Sequence, residues 1–302
     1  MSLDQESPFS AARANPGTGG VASDTARLVE ALTVELAGEK IDLPSFPEVA
    51  VRVRKALTND QVVIEQVVRV ISAEPSLAAR LLQLANSAAL NASGKRVADL
   101  RTAISRIGFN MACSATIAFA MSQLRRAEAY KGLDAPLTEL WHHSAHIAAV
   151  SHVVAKRFTQ VNADTALLAG LLQGVGKLYL LTRASRFPNL LRDTGAYQRL
   201  VAEWHGRVCQ AILRNWEIAE EVVTAAISSE NAEREHEGAT DLTDVLAVSA
   251  AIASLGPDPL PEQMLFLGMP AARRMKLDAK SCGAALAESH SEISSLRQAL
   301  GS

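Results

Sequence analysis

Ala169-Gly170-Leu171-Leu172-Gln173-Gly174-Val175-Gly176-Lys177-Leu178 admits two readings with opposite consequences for the fold. As a phosphate loop it would place the chain among α/β proteins, because such a loop aims backbone N–H groups at a phosphate from the end of a strand. That pattern needs four residues between its first Gly and the Gly-Lys pair, and Ser or Thr after the Lys. Here five residues separate Gly170 from Gly176, Leu178 follows Lys177, and no strand precedes. The stretch therefore reads as a helix-to-helix turn, the end of an apolar run that opens at Leu167.

Working outward, Trp141, Ala145, Ala148 and His152 lie along one side of a helix running to about Phe158. Ile212, Trp216 and the Val222–Ile227 run extend the core beyond the turn, and a charged loop follows over 230–238. Two further helices are expected within 265–300, the last polar enough to lie on the surface. Toward the N-terminus, turn residues cluster around Lys131, Gly132, Asp134 and Pro136, which marks a boundary between two helical halves. Before it, Leu77, Leu81, Leu84 and Ala88 follow Pro75 at helical spacing, and Asp99 caps a helix that carries Ala103, Ile104 and Ile107 and stops at Gly108. Val63, Val67, Val70 and Ile71 form a stripe after the Asn59-Asp60 turn, and Val49, Val53 and Leu57 form one before it. Leu43-Pro44-Ser45-Phe46-Pro47 is an extended connection fixed by its prolines. Asp24 caps a first helix with Leu28, Leu32 and Leu36 that ends at Gly38, and residues 1–23, broken by Pro16, Gly17, Gly19 and Gly20, form a disordered lead.

Composition agrees with helices throughout. The 302 residues are 48% hydrophobic but only 4% aromatic, a balance that suits ridge-into-groove helix packing. A formal net charge of −2 supplies no field for phosphate backbones, and the short Arg273, Arg274, Lys276 cluster lacks interleaved aromatics, so no nucleic-acid partner is expected. Cys113, Cys209 and Cys282 are scattered and odd in number, which points to a reducing cytoplasm rather than a disulfide framework or zinc knuckle. Neither a secretory leader nor a membrane span is expected.

Three stretches of the N-terminal half, Leu43–Pro47, Leu81-Leu82-Gln83-Leu84-Ala85-Asn86-Ser87-Ala88 and Ala103-Ile104-Ser105-Arg106-Ile107-Gly108, resemble the HDOD family in order and spacing. So do Leu140-Trp141-His142-His143-Ser144, the stretch 169–178, and Ala211-Ile212-Leu213-Arg214-Asn215-Trp216. The resemblance runs from roughly Ile41 to Ala253. It implies an all-α domain over 24–302, with an N-terminal helical half (24–134), a half derived from the HD phosphohydrolases (135–255) and C-terminal helices (256–302).

The resemblance also says what is missing. Catalytic HD enzymes place adjacent His and Asp where this chain has Gln173 and Gly174, and the Asp is the hard anionic ligand that holds the divalent ions. The superfamily's His pair would fall near Ser228 and Ser229, and its last Asp near Ala250. His143 and His205 match ligand-His positions. Losing one partner outside the ligand set of a metal site costs about 10–100-fold in affinity or activity, and losing several ligands costs more. The expectation is therefore a non-catalytic binding module with no metal and no cofactor.

Other candidates have plainer roles. His142 and His146 are four apart on one helix face, as a metal helix requires, but without a nearby Glu local hydrogen bonding accounts for them. Lys177 could meet an anionic ligand as a point charge, though packing or surface exposure explains it as well. Asn86 and Ser87 are expected to cap the helix ending at Ala85, since Asn tolerates the left-handed region and its amide can satisfy orphan carbonyls. Trp204 and Trp216 should fill seams between helical layers.

Three functions remain. The leading one is a regulatory module in bacterial signal transduction, working through protein contacts. The family implies two-component or cyclic dinucleotide pathways, hence a second-messenger enzyme or sensor kinase as partner. The second is a phosphohydrolase with an unconventional metal site drawn from His142, His143, His146 and His205. The third is a sensor of a small anionic ligand, such as a nucleotide, in the vacated pocket around His143, Gln173, Gly174, Lys177 and His205.

Overall fold

The computed structural model describes residues 16–37, 64–87, 90–91, 94–125, 132–255 and 264–300. The Leu43–Pro47 connection, the Val49 stripe, the Asn59-Asp60 turn, Val63, Ala88, Lys131 and the first fifteen residues lie outside them. Among the described residues every regular element is helical, as the sequence predicts.

The first helix, α1 (Pro16–Ala37), begins eight residues before Asp24. The disordered lead therefore does not extend to residue 23, and Asp24 is not the cap of this helix. A proline at the first helical position loses nothing, because the amide it lacks would have had no helical acceptor. The glycines that follow cost about 1 kcal/mol each relative to Ala, and burial of Leu28 and Leu32 works against that cost. Asp24 does cap a helix, but a different one. Its carboxylate accepts the amide of Asn189 at 3.2 Å, in the first turn of α9 described below.

Among the described residues, α1 is followed in the N-terminal half by α2 (Ile64–Ser72), α3 (Pro75–Ala85), α4 (Leu100–Ile107) and α5 (Phe109–Arg125). Asp99 accepts the Thr102 amide, and Gly108, at φ +79°, stops α4. Asn86 caps α3 as expected, its amide donating to the Leu82 carbonyl at 2.8 Å, though with φ −97° and not in the left-handed region. The same amide donates to the Val97 carbonyl at 2.8 Å, and its oxygen accepts the Val97 amide at 2.7 Å. A single side chain thus ties the end of α3 to the loop before α4, and that long-range bond decides its conformation.

The second half starts at α6 (Asp134–Phe158), with Pro136 inside its first turn, and continues through α7 (Ala163–Leu172) and α8 (Val175–Ala184). Then come α9 (Pro188–Arg192), α10 (Thr194–Asn215), α11 (Glu220–Ser228) and α12 (Leu242–Ala253). Helices α6 and α7 form the most extensive packed pair, and α12 covers α6. A Cβ on Gly170 would sit 2.6 Å from the Ala148 Cα, so only glycine lets these two backbones approach so closely. The 163–184 stretch has the length and hydropathy of a membrane crossing, yet 83% of that window is buried inside the protein, where it runs through the core.

Helix α1 packs on α9 and α10, and its Glu35 pairs with Arg183 of α8 at 2.8 Å and accepts the Tyr179 hydroxyl. Helix α5 packs across the halves on α7. After a 3-10 turn (Leu265–Gly268) and α13 (Pro270–Arg274), α14 (Ala279–Leu300) runs against both α6 and α3. The expected surface position of this last helix is corrected here: Cys282, Ala285, Ser289, Leu296, Ala299 and Leu300 are all buried. Its apolar residues are small and spaced by polar ones, so its buried face is hard to read from hydrophobicity alone. Trp204 and Trp216 are both buried in the core, as expected.

Candidate functional site

Gln173 and Gly174 form the tight turn between α7 and α8, and each is where the sequence places it. A Cβ built on Gly174 would lie 2.4 Å from the Ser144 Oγ, which projects from α6. A side chain at this position would have to turn that hydroxyl aside. Gly176 makes a second close approach: a Cβ there would meet the His205 carbonyl at 2.6 Å and its Nδ1 at 2.7 Å. Helix α8 therefore begins directly against His205 of α10.

His205 is 2% exposed, and neither ring nitrogen has a hydrogen-bond partner. Burial pushes its pKa down to about 4, with Lys177 adding to the effect and Glu230 opposing it, so the ring is neutral at pH 7. The Glu230 carboxylate lies 3.6 Å from His205 Nε2 and accepts from the Lys177 ammonium at 2.7 Å through the same oxygen. Burial acts to raise the Glu230 pKa, but the Lys177 hydrogen bond and charge, helped by His205, hold it below the usual range. Burial pushes the Cys209 thiol up to about 12, so the sulfur behind Gly176 is no nucleophile at neutral pH.

In front of this cluster lies a cavity of about 1110 Å³, walled by α6, α8, α10 and α14. His142, His143 and His146 from α6 line it, with Lys177, Tyr197 and Arg297. The His143 pKa is lowered by burial and by Lys177, against the pull of Glu139. His146 is pushed down to about 4 by burial, then by Arg297 and His143. Of the five sequence candidates, His143 and Lys177 thus face the cavity. Gln173, Gly174 and His205 lie behind its wall, and Glu230 connects the two groups.

The superfamily's remaining ligand positions offer little. Ser228 and Ser229 end α11, and Ala250 sits on α12 without a donor side chain. What remains is two neutral histidines, one glutamate and an ammonium already bonded to that glutamate. Divalent ions of this superfamily's kind need several carboxylate or imidazole ligands, so the donor set does not fit one. The four-histidine alternative does not converge either. Among the described residues, the group whose ligand atoms all lie within 4.8 Å of one another is His236, Asp241 and Asp244.

That group was not singled out from the sequence, and it is saturated by cations. Arg274 Nη1 reaches both Asp244 oxygens at 3.1 and 3.2 Å, and Arg234 reaches Asp244 at 3.2 Å and Asp241 at 2.6 Å. His236 bonds Asp244 at 2.9 Å, and that bond holds its pKa above the ordinary value. Asp241 and Asp244 also cap α12 reciprocally. The cluster clamps the 230–240 loop and α13 onto the start of α12. Glu230 and Arg297 were missed as well. Glu230 directly follows Ser228-Ser229, so the motif register offered a signal; Arg297 reaches the cavity from the far end of the chain and left none.

A model of the HDOD domain matches residues 43–232. Several solved structures share the fold. One is a protein of Shewanella amazonensis SB2B whose name proposes a metal-dependent phosphohydrolase, at TM-score 0.75 and 23% identity, covering 92% of this chain and 99% of that one. Another is an HDOD domain protein of unknown function from Geobacter sulfurreducens, at TM-score 0.62 and 19% identity, covering 93% and 98%. A third, from Marinobacter aquaeolei VT8, bears a name that proposes a signal transduction protein, at TM-score 0.58 and 18% identity, covering 95% of this chain and 66% of that one. No curated protein matches the sequence.

Proposed function

The chain belongs to the HDOD family, and from that premise we propose that it is a non-catalytic regulatory module of bacterial signal transduction that works by binding rather than by hydrolysis. One observation carries this reading: Gly174 offers no side-chain ligand where catalytic HD enzymes carry their metal-holding Asp, and the Ser144 Oγ lies 2.4 Å from where its Cβ would be. The Lys177–Glu230 pair supports it, since an ammonium sits against the nearest carboxylate. An ammonium at that distance repels a divalent ion. The signalling role draws on the family and on the name of the Marinobacter protein of similar fold. Its output is contact with another signalling protein, a second-messenger enzyme or a sensor kinase, in the cytoplasm.

The test is elemental analysis of protein purified without a histidine tag, alongside hydrolysis assays with manganese, magnesium and iron on cyclic dinucleotides and nucleotides. Substoichiometric metal and no turnover are expected. Near-stoichiometric metal, with turnover abolished by His143→Ala, would overturn the reading.

A further inference from the structure

The cavity walled by α6, α8, α10 and α14 is unused by the reading above, and its size and chemistry specify a ligand class. Its volume, about 1110 Å³, is at the upper end of small-molecule sites, which run to roughly 1,000 Å³. Leu140, Leu181, Tyr197 and Val201 give it an apolar wall. Four groups able to carry positive charge, His143, His146, Lys177 and Arg297, meet on one side. The cavity's two carboxylates, Asp134 and Glu139, belong to the first two turns of α6, and Glu139, one turn before His143, is the one that acts on that ring.

We propose that this cavity binds a small organic anion, its charged end on Lys177 beside His143, His146 and Arg297 and its apolar body against Leu181, Tyr197 and Val201. The electrostatics of the cluster support the placement. The cationic groups work against one another: Arg297 and His143 disfavour a proton on His146, and Lys177 disfavours one on His143. An anion among them reverses that repulsion.

A counter-intuitive consequence follows from Glu230. It holds the Lys177 ammonium at 2.7 Å, so it competes with any ligand anion for the same cation. Removing that carboxylate should therefore tighten the site.

The inference rests on the reading that no catalytic metal pair occupies this region, but its test is separate. The probe is 1-anilinonaphthalene-8-sulfonate, an aromatic body with one sulfonate, titrated by fluorescence into the full chain. N-phenyl-1-naphthylamine, the same ring system without the sulfonate, is the comparator. We expect one sulfonate probe per chain and at least ten-fold weaker binding of the neutral analogue. Lys177→Gln should cost the sulfonate at least ten-fold, and Glu230→Gln should gain several-fold, with far-UV circular dichroism unchanged in both. The proposal is overturned if the sulfonate does not saturate, if it binds no tighter than its neutral analogue, or if both variants leave its affinity unchanged. None of these results bears on metal content, and stoichiometric metal would sink the non-catalytic reading whatever the probe does.

Discussion

Two polar clusters lie in the second half of this protein, and they have divided between them what a metallohydrolase would combine. The cluster around Gly174, Lys177, His205 and Glu230 occupies the motif positions but has a single carboxylate, already bonded to an ammonium. The cluster around Asp241 and Asp244 has the carboxylates and a histidine within 4.8 Å of one another, but two guanidiniums neutralise them. Ligand-type residues alone therefore do not mark a metal site. What they are bonded to decides, and here the carboxylate-rich cluster is structural while the motif cluster keeps unsatisfied imidazole nitrogens beside an open cavity.

The strongest blow to this contrast would come at Asp244. It is 1% exposed and faces Arg234, Arg274 and His236. Asp244→Ala leaves those cations facing each other and removes half of the capping box of α12. Breaking a buried ion pair from one side costs about 3–5 kcal/mol, and that loss is expected in urea unfolding. A loss under about 1 kcal/mol would mean the clamp is not structural, and the Asp pair would return as a candidate cation site.

Restoring the motif should hurt rather than help. Gly174→Asp drives a Cβ to 2.4 Å from the Ser144 Oγ, and overpacking of that kind costs about 1–3 kcal/mol. Adding Ser144→Ala should recover most of it, since the hydroxyl is the atom met. Even with Gln173→His added, calorimetry with manganese is expected to find no tight site, because Ser228, Ser229 and Ala250 still supply no carboxylate or imidazole. Tight manganese binding by the triple variant would show that the motif cluster lacks only two residues.

How much of this was legible varies with the range of the interaction. Helices whose signals are local were readable: Asp99 and Gly108 bracket α4 as the sequence says, because a cap depends on its neighbours within three or four residues. The loss of the motif Asp was legible too, since glycine has no side chain to misplace. Failures came where distant chain segments decide. Helix α1 runs through Gly19 and Gly20 with α9 and α10 packed against it, and Asn86 reaches beyond its cap to Val97. Arg297 joins His146 from 151 positions away, and Arg274 joins Asp244 from 30. No periodicity encodes such meetings.

A smaller effect is expected from acid. The buried His205 is neutral, with its pKa near 4, whereas in the unfolded chain it titrates near 6.5. As pH falls the unfolded chain takes up the proton first, so stability is complete above about pH 6.5 and is lost toward pH 4. His205→Gln, which carries no titratable ring, should remove about 1–2 kcal/mol of that acid loss relative to wild type, read as the difference between their stability-against-pH curves. Identical curves would mean that the ring titrates in the native protein where it does in the unfolded chain, with the pull of Glu230 offsetting burial.

The smallest effect separates a ligand-ready cation from a structural one. Lys177 and Glu230 are both partly exposed, and ion pairs of that kind contribute at most about 1 kcal/mol. Lys177→Met should therefore cost under about 1 kcal/mol at pH 7, against the several expected for Asp244→Ala. It should also raise the His205 pKa, because the lysine works against protonation and Glu230 for it. With that pKa closer to its unfolded value, the acid loss should shrink. A cost near that of Asp244→Ala would mean that Lys177 is a buried counter-charge like Arg274, committed to holding Glu230 in place. The two clusters would then be alike, both closed by their own ion pairs, and Lys177 would not be free to leave Glu230 for an anion in the cavity.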